Sequence, residues 1–331
     1  MTTAPPLSLT VSVINYRTAE LTIACIRSVL DDLAATPGLS GHVVVVDNAS
    51  GDGSAEAIAA FLDSLPAPAP VSLVRSDRNT GFSGGHNQGM AARPAEAYLI
   101  LNSDALLRPG FLAALLAGMA EDPGAGLYAP RLEGADGVQQ ISCFRFPSPW
   151  SELIRGAASG PVTRLLARHD VPRELPHAPG QDGWASFACI LLRDAVLRAV
   201  GPMDEGYFLY FEDAEYAWRA RKAGFRLRHV PAARVVHHRG GSGPVKSLAQ
   251  ARKRLPGYYY ASRTRFFRQA YGPAGPLLAN LMWHLGRGIA GLRLLAGKPL
   301  PARTEGEARD LWTNILAPLG DRFGGAHHDD A

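Results

Sequence analysis

Three carboxylates stand within four residues at Glu212, Asp213 and Glu215, directly after the aromatic run Phe208-Leu209-Tyr210-Phe211. Apolar walls raise a carboxylate's pKa toward that of a useful general base, while acids at a helix start also suit its dipole. On a helix Glu212 and Glu215 share a face, and Asp213 is turned about 100° from Glu212. The segment therefore reads as one capping acid, one partner for Arg219 and one acid free for catalysis. A fourth acid, Asp104, closes Tyr98-Leu99-Ile100-Leu101-Asn102-Ser103-Asp104, an apolar run that ends abruptly in polar residues. Ligands of open α/β sheets collect beyond the carboxyl ends of strands, so Asp104 is suited to hold a divalent metal on a diphosphate. The competing reading makes it the N-cap of a helix over 105–120. His237 and His238 follow the apolar pair Val235-Val236 and precede a Gly-rich turn at 240–241, a pattern open to metal ligation.

These side chains need elements to hold them. Leu7 to Ile14 alternates and then becomes apolar, as a strand does on entering a covered sheet, and stops at Asn15-Tyr16-Arg17. Leu21, Cys25, Val29 and Leu33 share one face of the next helix, with Thr18 able to cap it. Val43 to Val46 reads as a doubly buried strand leading into the polar loop from Asp47 to Ser54. A helix over 55–65 and a strand over 71–75 complete a repeated β-α-β pattern, which implies parallel strands. The following Arg78 to Gly89 is glycine-rich, letting backbone approach a ligand or a neighbouring element. Its spacing matches neither the dinucleotide fingerprint nor the Lys-containing triphosphate loop. Four strand ends, at Asn15, Asp47, Arg78-Asn79 and Asp104, thus outline a nucleotide pocket along one sheet edge. Farther on we expect a hairpin turn at 133–137, loops and short helices over 147–179, a strand from Trp184 to Leu192 and a short helix over 193–200.

The chain has 331 residues, of which 47% are hydrophobic, ample for a sizeable core. No basic start with an apolar run opens it and no stretch of about eighteen uncharged apolar residues interrupts it, so a cytoplasmic protein is expected. Cys25, Cys143 and Cys189 lie too far apart for a zinc or redox pair and are expected as core thiols. Between Ala251 and Ala270 there are six basic residues and no acidic one, which points to an anionic surface. Leu277 to Leu295 is an apolar helix interrupted by His284, Arg287 and Arg293, too charged to span a bilayer comfortably. It suits peripheral contact with the inner face of a membrane, or packing on the rest of the chain or on a second copy in a homodimer. The interleaved Tyr258-Tyr259-Tyr260, Arg263, Arg265 and Phe266 would also suit RNA, but no nucleic-acid module accompanies them and none is expected as partner. The His327-His328-Asp329-Asp330 tail reads as a frayed terminus rather than a metal site.

Val13-Ile14-Asn15-Tyr16, Val45-Val46-Asp47-Asn48-Ala49-Ser50, Asn102-Ser103-Asp104 and Phe211-Glu212-Asp213 occur in one order that resembles family 2 glycosyltransferases. Asn79-Thr80-Gly81-Phe82 and Gly85-His86-Asn87-Gln88-Gly89 are similar to that family's nucleotide-side loop. The resemblance covers roughly 7–268 and its branch looks rhamnosyltransferase-like. It implies an α/β fold of the GT-A kind, with a Rossmann-like, mostly parallel sheet, helices on both faces and a C-terminal helical extension. A catalytic domain over 1–250 would divide into a nucleotide-sugar half (1–130) and an acceptor half (131–250), followed by a basic extension over 251–331. The donor, a nucleoside-diphosphate sugar such as dTDP-rhamnose or a UDP-sugar, would meet Asn15, Tyr16, Asp47, Arg78, Asn79, Gly81, Asn87, Asn102 and Ser103. Asp104 and His237 would hold Mg2+ or Mn2+, and Asp213 would be the base of an inverting transfer. Trp184 and Glu212 would face the acceptor, a glycan or lipid-linked glycan of bacterial polysaccharide or cell-wall assembly. The sequence departs from the family where Asn102 replaces the first acid of the Asp-x-Asp motif, and where Phe187 stands near a position that is small in relatives. Asn102 keeps a non-catalytic nucleotide-sugar-binding scaffold in view; a sugar nucleotidylyltransferase would place a Lys-ended glycine loop where Asn15-Tyr16-Arg17 stands.

Overall fold

The strands at the N-terminus alternate because their two faces meet different neighbours. In the computed structural model, which describes residues 6–172, 183–238, 245–295, 297 and 299–320, the chain runs β1 (Leu7–Asn15), α1 (Ala19–Ala34), β2 (Leu39–Asp47), α2 (Ser54–Asp63), β3 (Val71–Arg75), α3 (Gly81–Ala92), β4 (Ala97–Asn102), β5 (Ala105–Leu107), α4 (Phe111–Glu121) and β6 (Ala125–Glu133). It continues through β7 (Cys143–Phe144), α5 (Pro149–Ala157), α6 (Gly160–Leu165), β8 (Trp184–Ala185), β9 (Cys189–Arg193), α7 (Asp194–Val200), α8 (Glu212–Lys222) and β10 (Arg226–His237). Four helices follow: α9 (Val245–Gln250), α10 (Gly257–Tyr271), α11 (Gly275–Leu295) and α12 (Glu307–Asp310). The main sheet has eight strands in the order β3-β2-β1-β4-β9-β6-β10-β5. The first four are mutually parallel, β9 runs antiparallel between β4 and β6, and β5 closes the far edge antiparallel to β10. β7 and β8 form a separate two-stranded ribbon.

Leu9, Val11 and Val13 of β1 point into one core with Cys25, Ile26 and Val29 of α1 and with Phe111, Leu112 and Leu115 of α4. Thr10 and Ser12 point the other way, onto α3, where Thr10 Oγ1 donates to the Arg93 carbonyl (2.7 Å) and Ser12 Oγ bonds His86 Nδ1 (2.9 Å). Glycine lets this helix sit so close: a Cβ at Gly89 would lie 2.3 Å from Ser12 Oγ, and one at Gly85 2.7 Å from Ile14. The glycines thus serve helix-to-sheet packing. A second core on this side joins Ile100, Ile190 and Leu192 to Val196 of α7 and Tyr216 of α8. All three cysteines are buried and free, as expected of core thiols.

Two expectations are corrected here. Residues 105–107 are strand, because Ala105 to Leu107 pairs with Val235 to His237, and α4 begins only at Phe111. The stretch Trp184 to Leu192 is two strands in two sheets: Trp184-Ala185 pairs with Cys143-Phe144, and Cys189 onward enters the main sheet. The C-terminal helices do not stand apart. Phe266, Phe267 and Ala279 share a core with Tyr207 and Ala214. The helices α5 and α11 meet backbone to backbone, since a Cβ at Gly156 would lie 2.2 Å from the Trp283 carbonyl oxygen. The 327–330 tail and the glycines of the 240–241 turn lie outside the described residues.

Candidate active site at the strand ends

Parallel pairing aligns the polar strand ends. Asn15 sits opposite Asp47, and Ile14 opposite Asn102. Asn15 Nδ2 donates to Asp47 Oδ1 (2.7 Å) and Ser50 Oγ donates to the same oxygen (2.6 Å), while the Ser50 N–H reaches Asp47 Oδ2 (3.2 Å). Asn15 Oδ1 in turn accepts from Thr22 Oγ1 (2.9 Å), so helix α1 orients the amide. Arg17, at φ 58°, turns the chain out of the pocket floor, and its guanidinium lies 5.0 Å from the centre of the Tyr16 ring. Asn79 joins this group through Asn48, whose Nδ2 donates to Asn79 Oδ1 (2.9 Å) and to the Gly81 carbonyl (3.0 Å). Arg78 is exposed at the rim. Ser103 Oγ lies 3.2 Å from Thr18 Oγ1, linking the β4 end to the start of α1. Asn87 goes elsewhere: both ends of its amide bond the Met203 main chain (2.9 Å each), so it fastens the loop before α8.

Asp104 is 1% exposed, and among the described residues neither carboxylate oxygen has a hydrogen-bond partner. A buried charge without hydrogen-bond partners is costly, so this carboxylate is left with capacity to bind a cation. His237 Nε2 approaches to 3.5 Å, brought there by the β5–β10 pairing that sets His237 against Ala105. The helix-cap reading fails because no helix starts there. The pair is a hard oxygen beside an imidazole, a donor set that would suit a divalent cation. Among the described residues no third His, Cys, Asp or Glu joins them.

On the other side of the cleft the carboxylates divide. Glu215 accepts from Arg219 Nε (2.6 Å), and Arg219 Nη2 reaches the Pro202 carbonyl (3.1 Å), so this acid ties α8 to the preceding turn. Asp213 Oδ1 accepts from the Ala214 N–H (2.8 Å), and the carboxylate is also held by the Phe187 main chain. Burial pushes Asp213 up to about 7, although these N–H bonds pull the other way. Glu212 is raised further, by burial and by the charge of Asp213, and its Oε2 has no partner. The Phe187 ring is buried against Tyr216, 6.0 Å between centroids, so its bulk goes into the core. Trp184 stacks on Phe144 (4.5 Å) and donates to the Arg145 carbonyl (3.1 Å).

The strand break at 186–188 joins the two halves. Ala188 O accepts from the Asn102 N–H (2.9 Å), and the adjacent Phe187 main chain acts on the Asp213 carboxylate, so the Asn102-Ser103-Asp104 end and Asp213 come near consecutive residues. Sequence reasoning missed the strap over residues 203–211 that carries this arrangement. The Phe82 N–H donates to the Phe208 carbonyl (2.8 Å), and a Cβ at Gly81 would lie 2.3 Å from that oxygen. Asp204 is gripped by Arg265 at 2.8 and 2.9 Å and by Gln269 at 2.7 Å, both from α10. Tyr210 and Phe211 are consecutive non-glycine residues at φ 71° and 68°, and the Tyr210 ring lies parallel to Tyr258 of α10 at 6.4 Å. The signal in the sequence was the aromatic run itself, facing three tyrosines some fifty residues later.

Residues 10–149 match the pattern of "Glycosyl transferase family 2". The chain is 31% identical over 229 residues to the N-acetylglucosaminyl-diphospho-decaprenol L-rhamnosyltransferase of Mycobacterium tuberculosis, covering 64% of this chain and 72% of that protein. Among solved structures it resembles the mannosyltransferase PcManGT from Pyrobaculum calidifontis, determined with GDP-Man and Mn2+ (TM-score 0.54, 17% identity, 96% of this chain and 86% of that one). It also resembles S. aureus TarS residues 1–349 (TM-score 0.53, 15% identity, 94% and 80%). These likenesses give the sheet its name, the GT-A fold. A rhamnosyltransferase relative matched over most of its length, together with the family pattern across the strand ends, means that the chain belongs to glycosyl transferase family 2 and is rhamnosyltransferase-like.

Proposed function

We propose that this protein is an inverting glycosyltransferase that moves rhamnose from dTDP-rhamnose, or a related sugar from a UDP donor, to a hydroxyl of a polyprenyl-diphosphate-linked amino sugar in bacterial polysaccharide or cell-wall assembly. What supports it is the neighbourhood of residues 187–188: the Asn102 N–H at the Asp104 strand end bonds the Ala188 carbonyl, and the adjacent Phe187 main chain lowers the pKa of Asp213. The acceptor class is taken from the mycobacterial relative's activity, and the donor from its rhamnose.

In this reading Asn15, Tyr16, Asp47, Ser50 and Asn79 receive the nucleoside, with Asp47 pre-set by its bonds to Asn15 and Ser50. Asp104 and His237 would hold a divalent cation, which when bound supplies positive charge beside the diphosphate. Asp213 accepts the proton of the acceptor hydroxyl as its oxygen bonds the anomeric carbon. The bond from that carbon to the diphosphate oxygen breaks, and the nucleoside diphosphate leaves with the electron pair. One displacement inverts the configuration. Burial and the charge of Asp213 push Glu212 well above the usual carboxylate range, which favours its neutral form beside Asp213.

The test is transfer from dTDP-rhamnose to a short polyprenyl-diphosphate-N-acetylglucosamine, followed by chromatography, for wild type and Asp213→Asn. Wild type should transfer and the variant should lose about 10²–10⁴-fold in kcat. Thermal shifts with dTDP and UDP, each with Mn2+, should be the same in both; a nucleotide at a hundred times its Kd stabilises by about 2.7 kcal/mol. Asp104→Ala should lose the metal-dependent part of that shift. Undiminished turnover by Asp213→Asn would remove it as the base.

A further inference from the structure

We infer that α11 is the element that seats this protein on an anionic lipid surface, through a row of leucines that the fold leaves uncovered. One side of the helix is used internally: Ala279, Asn280, Trp283, Gly286 and Ala290 are buried. On the other, Leu277, Leu278, Leu281, Leu285 and Leu292 are each 45–61% exposed. At 3.6 residues per turn these five, with Gly288 among them, fall within an arc of about 100° that contains no charged side chain. The row runs about 22 Å along the helix axis. A helix on the surface of a water-soluble domain carries its polar residues there, and a contiguous apolar strip of this kind marks a contact surface.

Charge selects the occupant. From Tyr216 to Thr304 the chain has 18 Lys and Arg and not one Asp or Glu in 89 residues; among the described residues seven of the arginines pair with carboxylates outside that stretch, and the excess is still positive. Arg293 stands about 60° beyond the leucine arc and Arg287 on the inner side of the helix, their guanidiniums resting on the carbonyls of Pro299 (3.3 Å) and Pro301 (3.2 Å). Anionic headgroups complement this positive excess, and exposed leucines suit the boundary of headgroups and acyl chains. A second copy of the same face would set cations against cations. No described helix is long and apolar enough to cross a membrane, so α11 would lie in the plane. The choice of a bilayer also rests on the lipid-linked acceptor proposed above. Through Ala279, α11 shares a core with Phe266 and Phe267 of α10 and Ala214 of α8, so seating this helix brings the carboxylate side of the cleft to the lipid.

The experiment is co-sedimentation of the full chain with phosphatidylglycerol vesicles and with phosphatidylcholine vesicles, for wild type and for the double variant Leu281→Glu/Leu285→Glu. Thermal shift with dTDP and UDP reports that the variant is folded, and sedimentation velocity reports oligomeric state. Wild type should sediment with phosphatidylglycerol far more than with phosphatidylcholine, and the variant should bind at least about tenfold less with its nucleotide shift unchanged. Wild type remaining in the supernatant with phosphatidylglycerol would overturn the inference. So would a wild-type dimer that the variant dissociates, which would make the row a subunit interface. Vesicle binding is read without acceptor or turnover, so a failed transfer assay leaves this result standing, and the reverse also holds.

Discussion

Asp213 and Glu212 are adjacent in sequence yet differ in what holds them, and on the proposed mechanism that difference separates their roles. Main-chain N–H groups stabilise the Asp213 carboxylate, whereas one oxygen of Glu212 is buried without a partner. Burial and the Asp213 charge both raise Glu212, which disfavours its ionisation beside an ionised Asp213. A base must be deprotonated to work, so kcat/KM should climb with pH through about 7 and level off above it. Glu212→Gln should leave that limb in place, because the amide resembles the neutral acid. A limb displaced by a unit or more in this variant would mean that Glu212 titrates in its stead. The same shift has a cost in stability. The folded-state pKa of Asp213 lies above the value of a free carboxyl, so its contribution is intact in acid and is lost as pH rises through about 7. Asp213→Asn should accordingly melt a few degrees higher than wild type at pH 8, and no higher at pH 4.

At the scale of elements, the strap over residues 203–211 decides where α8 begins. It is fastened on one side to α3, by Asn87 on Met203 and by Phe82 on Phe208, and on the other to α10, by Arg265 and Gln269 on Asp204. Ser262 Oγ also reaches the Leu209 carbonyl (3.2 Å). Between these anchors the chain accepts two left-handed residues, Tyr210 and Phe211, a conformation that persists only when its surroundings enforce it. Burial raises Asp204 but the Arg265 fork outweighs it and holds the carboxyl below its usual range. Arg265→Met should thus loosen the strap and lower kcat about tenfold or more while KM for the nucleotide sugar changes little. Arg265→Lys should restore part of the loss, and the pH limb should stay near 7 in both. A variant that raises donor KM with kcat intact would show that Arg265 serves donor binding instead.

At the scale of the molecule, the C-terminal helices pack into a core shared with Tyr207 and with Ala214 of α8. Arg263 is 1% exposed and bonds Glu152 of α5 (2.9 Å) and Asn280 of α11 (2.8 Å). Arg155 pairs with both Glu152 and Glu307, so burial, which would raise Glu152, is outweighed and its carboxyl falls to about 2. Removing α10 and α11 would leave Glu152 buried against Arg155 alone and strip the cover from Tyr207 and Ala214. A chain ending at residue 250 should therefore lack a single cooperative melt and be cut rapidly by protease within 203–222. A cooperative melt at the wild-type temperature would show that the first 250 residues fold alone.

What could be read from residues in order was what depends on local pattern. The β-α-β repeat, the polar strand ends at Asn15, Asp47 and Asn102, and the family motifs all follow from periodicity and abrupt changes of polarity within a few residues. What needed tertiary structure was every choice between two locally equal outcomes. Ala105 to Leu107 carries helix-compatible residues, and it is strand because β10 arrives from far along the chain to pair with it. That pairing brings His237 to Asp104 across 133 positions and decides against a helix cap. Likewise a glycine-rich stretch is equally a ligand loop or a close-packing helix until Ser12 and Ile14 are found against it. The leucines of α11 read as one apolar helix in the sequence; only the packing of its other face on α5 and α10 shows which of them remain at the surface. Short-range chemistry is written in spacing, whereas which face is covered depends on partners whose distance along the chain spacing does not encode.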